Sequence, residues 1–344
     1  MIRLIRNFTY TFFVVAPSPS LELPFAVRSG IETEMAVCCL CQCEPNTNVA
    51  IGRDFEYATS QDEWRMDRCD ECGILILNPR PAEDEFERVY PPNYHAFQFD
   101  KNRFGVVHRV RRWLEAKRLL SIFRDLPADA RILDVGCGDG FHLDLLKTYG
   151  PSTWELQGLD TSDRAVTHAR KRGLNVIQGT VEESQFPENH FDAVLMIMTV
   201  EHLARPDETL LQIVEIMKPG GQLVIVTDNA ASIDIRLFGK RVWGGYHFPR
   251  HTYLFNHSSL ERLAEYCGLK TEQIRTIVSP VNWVYSIRNW LVSKQYPQWL
   301  VNQFSLTKPI PLAAFTILDN FLCLFGRGAL LQAVFAKPVK EKSR

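Results

Sequence analysis

The stretch ILDVGCGDG, residues 132–140, decides the fold. An apolar run ends there in a glycine-rich turn, and the residues that follow, to about Tyr149, predict a helix. Glycine has no Cβ, so such a turn adopts positive φ and lets a ligand approach the backbone closely. The glycine spacing is GxGxG, and Phe141 stands where a dinucleotide fingerprint has its third glycine. This spacing disfavours a nicotinamide-dependent dehydrogenase.

Strand and helix patterns alternate on both sides of this turn. Predicted strands cover 131–136, 154–160, 175–179, 191–198, 222–228, 271–278 and 330–336. Predicted helices cover 104–126, 140–149, 162–172, 206–217 and 260–267. Strands that alternate with helices of about 10–15 residues predict an α/β fold with a doubly wound, mostly parallel sheet. On helix 104–126 the side that carries Arg109, Arg111, Arg112 and Arg118 is interpreted as a solvated face.

An acidic residue ends the second strand of this pattern. Asp160 follows the glycine turn by about 20 residues, the spacing at which a carboxylate hydrogen-bonds the hydroxyls of a bound ribose. A helix-cap role before Thr161 and Ser162 is the alternative.

Four stretches carry a resemblance to a known family. They are LDVGCGDG (133–140), GLDTS (158–162), FDAVLMIMTVEHL (191–203) and MKPGGQLVIVTDN (217–229). In this order and spacing they resemble class I S-adenosylmethionine-dependent methyltransferases. The resemblance implies a Rossmann-like sheet of seven strands and the cofactor S-adenosyl-L-methionine.

The resemblance also implies where that cofactor binds. The glycine loop would lie against the methionine moiety, Asp160 would hold the ribose, and the end of the fourth strand would lie beside the cofactor. The cofactor-binding residues implied in this way are Asp134, Gly136, Cys137, Gly138, Asp160, Thr180, Ile197 and Met198. Thr180 departs from the family, which often has an acidic residue for the adenine at this position, and Glu182 lies two residues on.

Histidines follow the predicted fourth and fifth strands. His202 comes after Glu201, and the aromatic-rich loop WGGYHFPRHTYLF (243–255) contains His247 and His251. Family members with similar cysteine-rich heads carry a W…PxH…F pattern here. A hydroxyl acceptor needs a deprotonating group, so His251, then His202 and His247, are the candidate catalytic residues, with Asp228 a further candidate. Structural roles for these histidines are the alternative.

Six of the nine cysteines lie between residues 38 and 72. Cys38 with Cys41 and Cys69 with Cys72 form two CxxC pairs, a spacing typical of a structural Zn²⁺ site with four thiolates. Cys41 with Cys43 is the alternative first pair. The second pair resembles zinc-ribbon-like heads of some bacterial methyltransferases. Clustered cysteines also favour a reducing compartment, so we expect a cytoplasmic protein.

These patterns divide the chain into four parts. Residues 1–35 are interpreted as a disordered leader, 36–80 as the zinc-ribbon-like module and 81–126 as a helical connector or lid. Residues 127–340 form the expected methyltransferase domain, with an apolar helical insertion at about 281–326. Asp319 and Asn320 interrupt that apolar run, so we expect no membrane span, although peripheral lipid contact remains open.

Composition limits the remaining classes of partner. The 344 residues carry 39 Lys and Arg against 40 Asp and Glu, so no global basic field is available for nucleic acid. The chain is therefore expected to O-methylate a small or carrier-bound acceptor, such as a sugar, a quinone or phenol, a lipid or a natural-product intermediate. N- or C-methylation is one alternative, and a zinc-headed nucleic-acid-binding or scaffold protein is the alternative of another class.

Overall fold

Strands and helices alternate along the computed structural model, which describes residues 30–91, 94 and 105–339. The strands are β1 (Thr33–Glu34), β2 (Thr47–Gly52), β3 (Trp64–Arg68), β4 (Leu75–Leu77), β5 (Arg80–Pro81), β6 (Arg131–Val135), β7 (Glu155–Asp160), β8 (Val176–Gln178), β9 (Phe191–Ile197), β10 (Met217–Asp228), β11 (Tyr253–Leu254), β12 (Lys270–Ile277) and β13 (Leu330–Ala336). The α-helices are α1 (Phe86–Val89), α2 (Gly105–Ile122), α3 (Phe141–Tyr149), α4 (Asp163–Lys171), α5 (Pro206–Ile216), α6 (Ile233–Phe238), α7 (His257–Tyr266), α8 (Val281–Ser293), α9 (Gln298–Val301) and α10 (Pro309–Cys323).

Seven strands form the central sheet in the order β12-β13-β10-β9-β6-β7-β8. The pairs among β6 to β10 are parallel, and β13 runs antiparallel to both of its neighbours. The predicted doubly wound, mostly parallel α/β sheet is confirmed. Because carboxyl ends of parallel strands meet at one edge, the loops after β6, β7, β9 and β10 converge there.

The strand β10 is longer than its apolar pattern predicts. The predicted strand begins at Gln222, but the observed strand begins at Met217, which pairs with Phe191 on β9. The pairing register shifts between Met217 and Gln222. The intervening Pro219 and glycines are turn-forming residues, so the sequence pattern alone hides this first part of the strand.

The arginine-bearing side of helix α2 is partly buried against the rest of the protein. Arg111 and Arg118 are buried, so the interpretation of this side as solvated is wrong for them. Arg118 pairs with buried Glu115 at 2.5 Å and donates a hydrogen bond to Gln332 on β13. The guanidinium of Arg111 lies 5.1 Å from the ring centroid of Phe141. Sequence periodicity predicts a polar stripe on this helix. Only the tertiary packing shows that a buried carboxylate and an aromatic ring contact its arginines.

The cysteine-rich module forms its own antiparallel sheet, in the order β11-β4-β3-β2. Its edge strand β11 comes from the loop 243–255, which contains His247 and His251 and is called the histidine loop below. There Leu254 pairs with Leu75 and Tyr253 with Ile76. Trp64 of the module and Trp243 of the histidine loop belong to the same hydrophobic cluster. The module and this loop are therefore one packed unit, although residues 81–242 separate them in the chain.

Parts of the predicted leader and connector lie outside the described residues. Residues 1–29 are outside, and so are 92–93, 95–104 and 340–344. Within the predicted leader, Thr33 and Glu34 form strand β1 and pair with β5. This pairing fixes that end of the leader beside the module, which its sequence does not predict.

The apolar segment 281–326 consists of the helices α8, α9 and α10 between β12 and β13. No helix among the described residues has the length and apolar character needed to cross a membrane. Asp319, which interrupts the apolar run, is buried and accepts hydrogen bonds from the backbone of Ser279 and the indole of Trp283.

A buried ion pair joins the module to the histidine loop. Arg250 donates to Asp54 at 2.8 Å, and both side chains are fully buried. Burial alone would raise the pKa of Asp54, but the guanidinium holds it down at about 2. The Arg250 guanidinium also lies 4.5 Å from the ring centroid of Tyr57.

We expect the substitution Asp54→Asn to lower the free energy of unfolding by about 3–5 kcal/mol, because it leaves the Arg250 charge buried without a counter-ion. Guanidinium chloride unfolding checks this. The matched control is Arg53→Ala, which removes an ion pair to Glu63 whose side chains are 53% and 47% exposed, and should change stability by under about 1 kcal/mol. Equal effects of the two substitutions would contradict the role given to the buried pair.

Candidate functional site

The glycine turn between β6 and α3 is a backbone cradle. Gly136, Gly138 and Gly140 all have positive φ, at 69°, 54° and 79°. A Cβ on Gly136 would lie 2.5 Å from the side chain of Thr199, so only glycine fits this close approach. Gly136 donates to the Leu159 carbonyl at 2.8 Å, which ties the turn to β7.

Asp160 lies beside this turn at the end of β7. One carboxylate oxygen accepts from the backbone of Gly138 at 2.8 Å, and the other accepts from the backbone of Ser162 at 2.9 Å. Burial raises the pKa of Asp160, and these two hydrogen bonds oppose that rise. Each oxygen keeps a lone pair for one further donor, such as a ribose hydroxyl.

Two more carboxylates line the same turn. Asp134 is buried on β6, and its Oδ2 accepts no hydrogen bond from any described residue. Burial raises the pKa of Asp134 to about 7. Asp139 instead pairs with Arg172 at 3.2 Å. Asp134 is thus a buried acceptor that a cationic ligand group could satisfy. The Cys137 thiol faces inward, and burial raises its pKa.

The end of β9 reaches the same edge of the sheet. Met198 has a φ of 55°, a conformation that non-glycine residues rarely adopt and that recurs at functional sites. Its neighbour Ile197 is buried. Thr180 lies on an exposed turn after β8, where its backbone donates to Glu183 and its hydroxyl accepts from the Glu183 backbone. Thr180 therefore acts as the cap of a local turn here.

The three predicted histidines come together next to this edge. The ring centroids of His202 and His251 are 4.6 Å apart, and those of His247 and His251 are 5.0 Å apart. His202 and His247 are 6.3 Å apart. The loop after β10 thus brings His247 and His251 next to His202, which lies in the short segment after β9.

The protonation of His251 follows from its neighbours. Its Nδ1 lies 2.8 Å from the Gly245 carbonyl, which only accepts, so Nδ1 carries the proton and donates. The Asp228 carboxylate lies 3.4 Å from the same nitrogen. Burial, with the nearby His202 and His247, lowers the pKa of His251 well below its usual value. His251 is therefore neutral at pH 7, and its Nε2 holds a free lone pair.

His202 has a similar arrangement. Its Nδ1 lies 3.1 Å from the Arg250 carbonyl and 2.9 Å from the Tyr90 hydroxyl. Burial lowers the pKa of His202 to about 4. As a whole residue, His202 is half-buried, whereas His247 and His251 are buried.

His247 pairs with the cysteine-rich module. Its Nδ1 lies 2.7 Å from the Glu56 carboxylate, and both side chains are buried. Its backbone has a φ of 40°, which again marks local strain. Burial and the charge of Arg250 lower the pKa of His247 well below its usual value.

Glu201 is a further ionisable group close to the histidines. Glu201 is fully buried, and neither of its carboxylate oxygens accepts a hydrogen bond from the residues described. Burial, and then the neighbouring Asp228, raise its pKa well above the usual value. Ligand atoms of Glu201, His202 and His251 lie within 4.8 Å of one another, so this group could hold a cation.

The predicted metal ligands also come together. The sulfur atoms of Cys38, Cys41, Cys69 and Cys72 all lie within 4.8 Å of one another, and these cysteines form no disulfide. Thiolates around tetrahedral Zn²⁺ bind at about 2.3 Å, which places the sulfurs about 3.8 Å apart. The donor set fits a structural metal with no open position. Cys43 lies outside this set, although its sulfur is 3.5 Å from that of Cys69.

Several site residues have no signal in the sequence. Tyr90, Glu56 and Tyr57 approach the histidines from the connector and the module. Asn282 on α8 donates to Asp228 at 2.5 Å. A buried ion pair across the chain is invisible to motif spacing, so the contribution of the module to this site needed the tertiary structure.

Comparisons with known proteins find a matching family and several similar proteins. A family model described as a methyltransferase domain matches residues 102–274, which is half of the chain. The ubiquinone biosynthesis O-methyltransferase of Rickettsia felis is 28% identical over 152 residues, or 42% of this chain and 60% of that protein. The chain therefore spans less than two thirds of this relative.

Two further similar proteins extend the comparison. The fatty-acid O-methyltransferase of Mycolicibacterium smegmatis is 34% identical over 110 residues, or 30% of this chain and 39% of that protein. The crystal structure of a SAM-dependent methyltransferase from Archaeoglobus fulgidus aligns with a TM-score of 0.44 at 21% identity, and the alignment covers 66% of this chain and 94% of that one.

Proposed function

The chain belongs to the methyltransferase-domain family, and from this we propose that it transfers a methyl group from S-adenosylmethionine to an oxygen of a small acceptor. The names of two relatives support oxygen as the receiving atom, since both are O-methyltransferases. One relative acts in ubiquinone biosynthesis and the other on fatty acids, which supports an acceptor with a large apolar part.

The cofactor would lie along the glycine turn. Gly136 and Gly138 supply the close backbone approach, and Asp160 offers two acceptor oxygens to the ribose hydroxyls. The Oδ2 of Asp134, which accepts no hydrogen bond from the described residues, would accept from the ammonium group of the methionine moiety. When bound, S-adenosylmethionine supplies a methyl group on a positively charged sulfur, so that an O–CH₃ bond forms, the S–CH₃ bond breaks and the acceptor releases a proton.

His251 would receive that proton on Nε2. The observation that carries this role is the hydrogen bond from its Nδ1 to Gly245, which fixes the tautomer and leaves Nε2 as the acceptor. The Asp228 carboxylate, 3.4 Å from Nδ1, would stabilise the imidazolium that forms. His202 and His247 are the next candidates, and in this proposal they enclose the acceptor beside His251.

The cysteine-rich module would hold Zn²⁺ through Cys38, Cys41, Cys69 and Cys72. The ion would add no chemistry, because four thiolates leave no position for substrate. Its role would be to fold the module that carries Asp54 and Glu56 to the histidines. A zinc-thiolate site of this kind suits a reducing compartment, so we propose a cytoplasmic location.

Asp160→Asn should weaken the binding of S-adenosylmethionine by about 10- to 100-fold, since a neutral amide replaces a charged acceptor of ribose hydrogen bonds. Isothermal titration measures the Kd directly. Asp163→Asn is the matched control, because Asp163 is an exposed carboxylate three residues on. A folded wild-type protein that fails to bind S-adenosylmethionine would refute the methyltransferase proposal.

His251→Gln should lower kcat by about 10²- to 10⁴-fold while the Kd for S-adenosylmethionine stays the same, because only proton removal is lost. Methyl transfer from labelled S-adenosylmethionine is measured with a phenol, a hydroquinone and a long-chain fatty acid, after a first screen of the wild type. His257→Gln is the control, since His257 is exposed on α7.

The fatty acid behaves differently in this assay. A carboxylic acid is already ionised at pH 7, so its methylation should be less sensitive to His251→Gln than that of the phenol. Because the pKa of His251 is lowered, the acid limb of kcat for the phenol should lie below pH 6.5. A rate that falls on chelation and returns with a divalent cation would instead assign Glu201, His202 and His251 to a cation.

Purified wild-type protein should contain one Zn²⁺ per chain by elemental analysis, and Cys72→Ser should lose it, because serine is a poor zinc ligand. Cys43→Ser is the control and should keep the ion, since Cys43 lies outside the four-sulfur group. Loss of zinc in Cys43→Ser with retention in Cys38→Ser would favour the alternative pair Cys41 and Cys43.

A further inference from the structure

The helix α10 has its polarity reversed relative to an ordinary surface helix. Its polar residues Thr316, Asp319 and Asn320 are buried. Its exposed side chains are apolar, with Ile310 at 80%, Ile317 at 69% and Phe321 at 58% exposure. A surface helix in water normally does the opposite and turns its charged face outward.

The exposed apolar face continues beyond the helix. Its large members are Ile310, Ile317, Leu318, Phe321, Leu324 and Phe325. Ile310 and Ile317 are seven residues apart and Ile317 and Phe321 are four apart, so these side chains lie along one side of the helix. Scattered exposed apolar residues are normal, but a contiguous row of this kind marks a surface that another apolar phase or protein covers.

The buried polar residues explain why the helix cannot rotate to hide this face. Asp319 accepts from the backbone of Ser279, the backbone of Ala329 and the indole of Trp283. Turning α10 would break these hydrogen bonds and leave buried donors without partners. The outward direction of the apolar face is therefore fixed by the interior.

The charged residues within this segment suit an anionic lipid surface. Within 281–326, all of which the structure describes, the charged residues are Arg288, Lys294, Lys308 and Asp319. Arg288 and Asp319 are buried, so the accessible charges are the two lysines. A segment without an accessible acidic group is attracted to anionic headgroups.

Exposed aromatic side chains support the same partner. Trp290 at the end of α8, Tyr296 in the turn and Trp299 on α9 are 40%, 44% and 66% exposed. Tryptophan and tyrosine are enriched at the level of lipid headgroups, because their rings are apolar and their N–H or O–H groups stay hydrated. A second copy of the chain would not need this combination of lysines and amphipathic rings.

The same segment reaches the candidate active site. On its inner side, Trp283 of α8 stacks on Phe315 of α10, with ring centroids 5.7 Å apart. On its other side, α8 approaches the histidine loop, where Ser286 accepts from the Gly244 backbone at 2.8 Å. The apolar face and the histidines are therefore joined through one helix.

We propose that the α10 face docks on the surface of an anionic lipid bilayer, with the helix lying in the headgroup layer rather than crossing the membrane. Apolar side chains enter the acyl boundary, and Lys294 and Lys308 contact the headgroups. This binding does not depend on methyl transfer. If the proposed function holds, docking brings an apolar acceptor dissolved in the bilayer to the segment that packs on the histidine loop.

Sedimentation with lipid vesicles, without S-adenosylmethionine or acceptor, tests the docking surface. Full-length wild-type protein should sediment with phosphatidylcholine–phosphatidylglycerol vesicles and bind pure phosphatidylcholine vesicles more weakly. The double substitution Ile317→Glu and Phe321→Glu should reduce binding to the mixed vesicles at least about 10-fold. The matched control is Leu211→Glu, because Leu211 is 41% exposed on α5, outside this segment.

A second variant separates charge from apolar contact. Lys294→Glu with Lys308→Glu should weaken binding to the mixed vesicles by at least about fivefold for each lysine that contacts headgroups, and the difference between the two vesicle types should disappear. The substituted side chains are exposed, except that of Lys308, which is half-buried, and the circular dichroism of all variants should match the wild type.

Three outcomes would overturn the proposal. The first is wild-type protein that stays in the supernatant with both vesicle types. The second is equal binding by the Ile317→Glu, Phe321→Glu variant and the Leu211→Glu control. The third is a wild-type dimer by light scattering that becomes a monomer in the double variant, which would assign the face to a second copy. Titration of S-adenosylmethionine on the same samples separates these results from a failure of the proposed function.

Discussion

The buried ion pair between Arg250 and Asp54 is the constraint on which the site geometry depends. Arg250 lies between His247 and His251 in the chain, while Asp54 belongs to the cysteine-rich module. A fully buried charge must keep its counter-ion, so the loop and the module have one relative position. The Arg250 carbonyl then accepts a hydrogen bond from His202, and this hydrogen bond orients the His202 ring.

Because of this ion pair, the cysteine-rich module contributes residues to the candidate active site. The strand β11 completes the sheet of the module, and Glu56 of the module pairs with His247. A metal held by four thiolates would therefore act at a distance, by keeping the strands that carry Asp54 and Glu56 in place. The histidine loop carries residues of both the small sheet and the candidate active site.

Burial favours the neutral forms of the histidines and of the neighbouring carboxyl groups in this region. It lowers the pKa of His202, His247 and His251, and it raises the pKa of Asp228 and Glu201. Neutral imidazoles beside weakly acidic carboxyls suit proton removal from a neutral acceptor. The same principle applies on α10, where buried Asp319 is held by three donor groups and the apolar side chains face outward.

The sequence by itself determined the sheet, the glycine turn and the grouping of the cysteines. These features follow from local rules: in ILDVGCGDG (132–140) a mostly apolar run passes into a glycine-rich turn within a few residues, and two CxxC pairs define one donor set. The sequence also selected the three histidines, because they follow strands whose carboxyl ends meet. Only the tertiary structure decided that Glu56, Tyr90 and Asn282 complete their surroundings. It also decided that Arg111 and Arg118 are buried and that α10 turns its apolar side outward. These are contacts between distant segments, and their energies depend on burial and on partners that no local spacing encodes.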